Sequence, residues 1–144
     1  IILVGGEDRI SKQIEEELSA EIRLAGIDRY QSSLEAANYF RDQEGTISGG
    51  ANSQKNPAKT RAKEVFIATG ENFADAVAGS ILAAKTGGSM LLVRGNVVTE
   101  PVLSSRLQEY LKNNQFEKLT IFGGPGAVNS MVAEEIQQYI EKSP

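Results

Sequence analysis

The residues of this 144-residue chain that are able to do chemistry are few. It has no cysteine and no histidine. That removes thiol nucleophiles, disulfides and cysteine-ligated zinc, together with the commonest general base and metal ligand. A Ser-His-Asp or Cys-His hydrolase cannot be assembled from this inventory. A magnesium site acting on a phosphorylated substrate would need Glu71, Asp75 and a carboxylate from another strand end. No Asp-x-Asp pair occurs anywhere in the chain. Asp75 has a simpler use: it stands three positions after Asn72, a helix-cap residue, where a carboxylate favours the positive end of the helix. No metal and no cofactor are expected.

Cations offer a second kind of chemistry. Arg29 and Tyr30 stand side by side; a guanidinium fork suits a phosphate and a phenol ring can stack on a sugar face. The plainer alternative is an Asp28–Arg29 pair that fixes a turn. Arg94 lies just past an apolar run, where it can meet an anion at a strand end. Two double-glycine turns, Gly5-Gly6 and Gly123-Gly124, admit two readings as well. They can offer free helix-start amides to an anion, or they are tight strand-to-helix turns that need glycine. No GxGxxG and no P-loop lysine accompanies them, so a nucleotide fingerprint is lacking.

The elements that must position these residues follow from hydrophobic period. Apolar runs at residues 1–4, 65–69 ("VFIAT"), 89–93 ("SMLLV") and 119–122 ("LTIF") read as strands, with a shorter one at 22–24. Amphipathic stretches at about 11–20, 32–42, 73–86, 99–112 and 129–140 read as helices. Ser32-Ser33-Leu34-Glu35 has capping-box spacing, and Thr99 with Pro101 gives a second helix start. "VFIAT" is uninterrupted, as in a strand buried on both faces, and Met90-Leu91-Leu92 reads as core. The polar, aperiodic stretch 45–63 reads as a surface insertion. Strand-helix alternation predicts an α/β fold, three-layer α/β/α with a mostly parallel sheet.

"LVGGEDRI" at Leu3 and "IFGGPGAV" at Ile121 are near copies, 123 − 5 = 118 residues apart. The apolar positions of the following helices keep phase: Ile14 with Val132, Leu18 with Ile136. We therefore expect residues 1–20 to be the tail segment of a preceding repeat that completes the fold, and residues 21–144 to be one full unit.

Three blocks, in order, resemble one family. "RLAGIDRY" (23–30), "VFIATGENFADAVAGSILAAKTGGSMLLV" (65–93) and "LTIFGGPGAV" (119–128) are similar to the cell wall binding repeat 2 family of secreted Gram-positive surface proteins. Departures are local: Gln31-Ser32-Ser33 follows Tyr30, Ser89-Met90-Leu91-Leu92 stands where a Pro-Ile-Leu-Leu start is typical, and the insertion is long. The resemblance implies a Toprim-like fold and a non-catalytic module that anchors to an anionic secondary wall polysaccharide or teichoic-acid-like polymer. Its repeats come in tandem, usually three, and pack as a pseudo-threefold trimer. It also implies that one of Met90, Leu91 and Leu92 reaches the polymer groove; Arg29, Tyr30 and Arg94 join them as ligand-binding candidates on the chemistry and position given above. Gly5, Gly6, Asn72, Asp75, Gly123 and Gly124 are then structural motif residues. The competing expectations are a Toprim- or flavodoxin-like magnesium enzyme and a module that only packs against sister repeats.

Composition bounds these readings. A net charge of −4 argues against a nucleic-acid partner and requires any cations that meet an anionic polymer to be grouped locally. No apolar run is long enough to span a membrane. The chain opens at Ile1 inside a strand with neither Met nor signal sequence, as expected of a segment cut from a longer secreted polypeptide.

Overall fold

The computed structural model describes residues 1–42 and 63–141. The chain divides into two compact units, Ile1–Ala58 and Lys59–Pro144. The first holds β1 (Ile2–Val4), α1 (Lys12–Glu17), β2 (Ile22–Leu24) and α2 (Arg29–Asp42). The second holds β3 (Glu64–Thr69), α3 (Phe73–Thr86), β4 (Ser89–Val93), α4 (Ser105–Asn114), β5 (Lys118–Phe122) and α5 (Ser130–Glu141). Every strand pair is parallel, so the α/β expectation stands. Of the expected insertion at 45–63, only Lys63 lies within the described residues.

In the second unit the strand order is β4-β3-β5. The central strand has no polar face: Val65, Phe66, Ile67 and Ala68 are all fully buried, which is what the unbroken "VFIAT" run requires of a strand covered on both sides. Pairing aligns Phe66 with Met90 and Thr120, and Ala68 with Leu92 and Phe122, so these six share one face. Helix α3 lies on that face through Gly79, where a Cβ would stand 2.5 Å from Met90 Cε and from Phe122 Cδ2. The opposite face carries Ser89, whose hydroxyl hydrogen bonds to the Tyr110 hydroxyl of α4 at 3.0 Å. Buried Leu107, Leu111, Val132 and Ile136 place the apolar sides of α4 and α5 in the core. With α3 on one face and α4 and α5 on the other, this is the three-layer arrangement that successive β-α-β crossovers produce.

Two helix starts differ from the sequence expectation. Helix α2 begins at Arg29, one turn before Ser32. Asp28 Oδ1 accepts from the Gln31 N–H at 2.8 Å, and Gln31 Oε1 accepts from the Ile27 N–H at 3.0 Å. That reciprocal pair outcompetes the Ser32-x-x-Glu35 signal. The Ser32 hydroxyl instead ties the turn together, accepting from the Gly26 N–H and donating to Asp28 O. Helix α4 begins at Ser105, not near Thr99. Val102 and Leu103 are drawn into the core, and Ser104 then caps, accepting from the Leu107 N–H at 3.3 Å.

The two glycine turns match bond for bond at the 118-residue offset. Gly6 O accepts from the Arg9 and Ile10 N–H groups at 3.0 Å each; Gly124 O accepts from Ala127 at 2.8 Å and Val128 at 3.1 Å. Ser11 Oγ accepts from the Ile14 N–H, as Asn129 Oδ1 accepts from the Val132 N–H. The surroundings of the following helices differ. Val132 and Ile136 of α5 are 0% exposed, whereas Ile14 and Leu18 are 42% and 43% exposed.

Two carboxylates add acid sensitivity. The Arg23 guanidinium, hydrogen bonded to Glu15 at 2.9 Å, holds the Glu15 carboxyl below its ordinary 4.5 and is itself raised. Burial pushes the Glu64 carboxyl up, but Lys118 at 2.7 Å and the Thr120 hydroxyl at 2.5 Å outweigh it and hold the group low. A depressed folded-state pKa contributes stability that is present above the unfolded value and lost as pH falls through the folded one. Denaturation midpoints should therefore hold between about pH 7 and about pH 5 and fall below that, with a shallower fall in Glu64→Gln. An acid limb unchanged in that variant would remove Glu64 from the account.

Candidate functional site

In the second unit the loops that follow β3, β4 and β5 gather at the carboxyl edge of the sheet, where ligands of open α/β sheets bind. After β3, Asn72 caps α3, its side chain accepting from the Ala74 N–H at 3.2 Å, and Asp75 follows in the first turn. After β5, Gly123 has φ +105, and a Cβ there would meet Asp75 Oδ2 at 2.8 Å and Ala127 Cβ at 2.7 Å. Asp75 and Gly123 are thus neighbours across the sheet edge. A Cβ on Gly124 would meet nothing within 4 Å, so Gly123 alone of that pair is sterically obliged.

This geometry favours the tight-turn reading of the glycine pairs over an anion cradle. At α1, α3 and α5 a side chain of Ser11, Asn72 or Asn129 already accepts from a helix-start amide. At the β5 turn the Asp75 carboxylate adds negative charge where an anion would sit. Glu71 is engaged too, its Oε2 accepting from Asn96 Nδ2 at 3.0 Å. Among the described residues no three acidic side chains converge as a metal site would need.

After β4 stand Arg94, which is exposed, and Gly95, which is buried. Sequence reasoning passed over the latter. Gly95 O accepts from the Asn129 N–H at 2.8 Å, and Asn129 Nδ2 donates to Val97 O at 2.7 Å. Asn129 thereby caps α5 with one atom and pins the β4 loop, and with it Arg94, with another. The signal available was a glycine directly after a strand, which often marks close backbone approach.

The Met90-Leu91-Leu92 triplet divides by strand alternation. Leu91 is 1% exposed and belongs to the core, so it offers no surface to a polymer. Met90 sits beneath Gly79, and Leu92 is half-buried on the same face. In the first unit, Gly5 (φ +140) and Gly6 end β1, and Arg29 and Tyr30 open α2 just after β2. Arg29 is exposed and Tyr30 half-buried. The structure thus gathers Asn72, Asp75, Arg94, Gly123 and Gly124 at one edge of the second unit, and Gly5, Gly6, Arg29 and Tyr30 at the corresponding edge of the first.

Two further features escaped the sequence reading. Arg23 is locked into the first unit: besides Glu15, it donates from Nη1 to Gly5 O at 2.7 Å. Helix α3 also turns an apolar stripe outward, Phe73, Val77 and Ile81 at four-residue spacing, 80%, 57% and 61% exposed.

The sequence profile described as Cell wall binding domain 2 (CWB2) matches residues 23–133. The chain belongs to that family. A CWB2 domain binds cell wall, and membership places this chain in a secreted, cell-wall-associated protein of a Gram-positive bacterium. Among curated proteins it is 26% identical, over 136 residues, to the N-acetylmuramoyl-L-alanine amidase LytC of Bacillus subtilis (strain 168), covering 94% of this chain and 23% of LytC. Among solved structures, Cwp8 from Clostridium difficile superposes with a TM-score of 0.71 at 27% identity, covering 98% of this chain and 20% of that one. Cwp6 from the same organism shares the fold, with a TM-score of 0.66 at 20% identity and coverage of 96% and 19%. This CWB2 chain therefore spans about a fifth to a quarter of the length of the relatives it matches.

Proposed function

We propose that this CWB2 chain is a non-catalytic anchor that holds a secreted protein to an anionic secondary wall polysaccharide or teichoic-acid-like polymer, acting with sister repeats. The match to the family over residues 23–133 carries the reading. Exposed Arg94 and Arg29, each at the carboxyl edge of a parallel sheet, suit the charged groups of such a polymer, and Tyr30 suits its sugar faces. Met90 and Leu92 are the members of the β4 triplet left to line a groove. The outward stripe Phe73-Val77-Ile81 supports packing against sister repeats, since apolar patches on a helix surface mark protein contacts. Several weak sites held on one polypeptide then bind far more tightly than one.

The test is a titration of acid-released, labelled wall polymer against the protein and its Arg94→Ala and Arg29→Ala variants, each checked for native circular dichroism. Loss of one charge-assisted contact should weaken binding about tenfold, and binding should fall as salt rises. Binding by both variants equal to that of the natural chain would contradict the arginine assignment.

A further inference from the structure

We infer that the outer edge of β5 is an acceptor for the β2-type strand of a following repeat, so that successive repeats share one parallel sheet. The inference rests on the repeat organisation proposed above, not on the wall ligand. It starts from the two glycine turns, which match bond for bond at the 118-residue offset. By that offset β1 is the counterpart of the end of β5: Leu3 answers to Ile121, Val4 to Phe122 and Gly5 to Gly123. β1 is paired in this structure with β2, in parallel, with Ile2 opposite Ile22 and Val4 opposite Leu24. The Gly5 N–H donates to Leu24 O at 2.9 Å, and Arg23 Nη1 donates to Gly5 O at 2.7 Å.

Strand alternation shows which edge of β5 corresponds. The Lys118 N–H donates toward β3, to Lys63 O at 3.1 Å. Backbone groups alternate sides along a strand, so Thr120 and Phe122 also face β3. Ile121 and Gly123 then face away from β3, and their counterparts Leu3 and Gly5 are the residues whose N–H groups face β2. The edge that β1 gives to β2 is therefore the edge that β5 turns away from β3. Among the described residues no strand pairs with that edge. Unpaired strand edges recruit strands. The template fixes the register: Thr120, Ile121 and Phe122 opposite the Ile22, Arg23 and Leu24 positions of the incoming copy, with its arginine donating to Gly123 O.

The experiment extends the full chain beyond Pro144 by a flexible linker of about fifteen residues followed by a second copy of residues 21–42. Residue-resolved amide exchange is compared with that of the natural chain. The Ile121 and Gly123 amides should slow at least about a hundredfold, while Thr120, already bonded to β3, should not change. A matched arm carrying Leu24→Pro, which removes an N–H on the pairing side, the side on which Leu24 O accepts from the Gly5 N–H, should give no such protection. Unchanged Ile121 and Gly123 exchange with the native arm, or equal protection from the proline arm, would overturn the inference. Neither outcome bears on wall binding, because no wall polymer is present.

Discussion

Gly95→Ala should cost at least about 3 kcal/mol of folding stability, whereas Gly124→Ala, one strand end away, should change it by less than about 0.5 kcal/mol. A Cβ on Gly95 would stand 1.6 Å from Ala127 O and 2.8 Å from Ala127 C. These are backbone atoms, so no side-chain rotation relieves the clash. Moving the loop apart would also break the Asn129 bonds to Gly95 O and Val97 O, and with them the joint between the β4 loop and the start of α5. Gly124 has neither a neighbour within 4 Å nor a positive φ. Urea unfolding of the two variants checks the contrast. Equal midpoints would mean that the β4 loop and the β5 turn do not approach as closely as described.

The second large effect compares positions that the sequence makes equivalent. Ile136→Ala should cost about 3 kcal/mol, from lost apolar burial and the cavity left in a core residue that is 0% exposed. Leu18→Ala, its counterpart at the 118-residue offset, should cost under about 1 kcal/mol, because 43% of Leu18 is already in solvent. In α5 the apolar face closes against α4 and β5. Helix α1 belongs to a unit whose described strands are β1 and β2 alone. Thermal or urea unfolding of both variants measures the difference. Similar losses at the two positions would show that α1 is as deeply packed as α5.

What the sequence made legible is what depends on local pattern. "VFIAT" announced a strand with no wet face, and Val65 to Ala68 have none. The repeated glycine phrase announced two like turns, and their hydrogen bonds agree. Asn72 was readable as a helix cap from residue type and spacing. Competition between local signals was harder to read. Asp28 with Gln31 displaced the Ser32 box, and Ser104 displaced Thr99, because capping is decided by which turn the neighbouring core residues permit. Long-range partners left almost no trace: nothing around Arg23 names Glu15 and Gly5 O, and nothing around Gly95 names Ala127 and Asn129. The outward stripe of α3 was hidden for a different reason. "FADAVAGSILAA" is apolar nearly all round, so the pattern could not separate the side resting on the sheet through Gly79 and Ala83 from the side carrying Phe73, Val77 and Ile81.

For wall anchoring the most direct measurement is co-sedimentation with purified Gram-positive walls before and after acid stripping of their secondary polymers. It should be run on this chain and on a chain carrying its sister repeats. The account predicts that the multi-repeat chain pellets with native walls, that the single chain does so more weakly, and that both stay in solution once the polymers are removed. Equal pelleting on stripped walls would move the ligand to the peptidoglycan itself, and no pelleting on native walls would contradict anchoring outright.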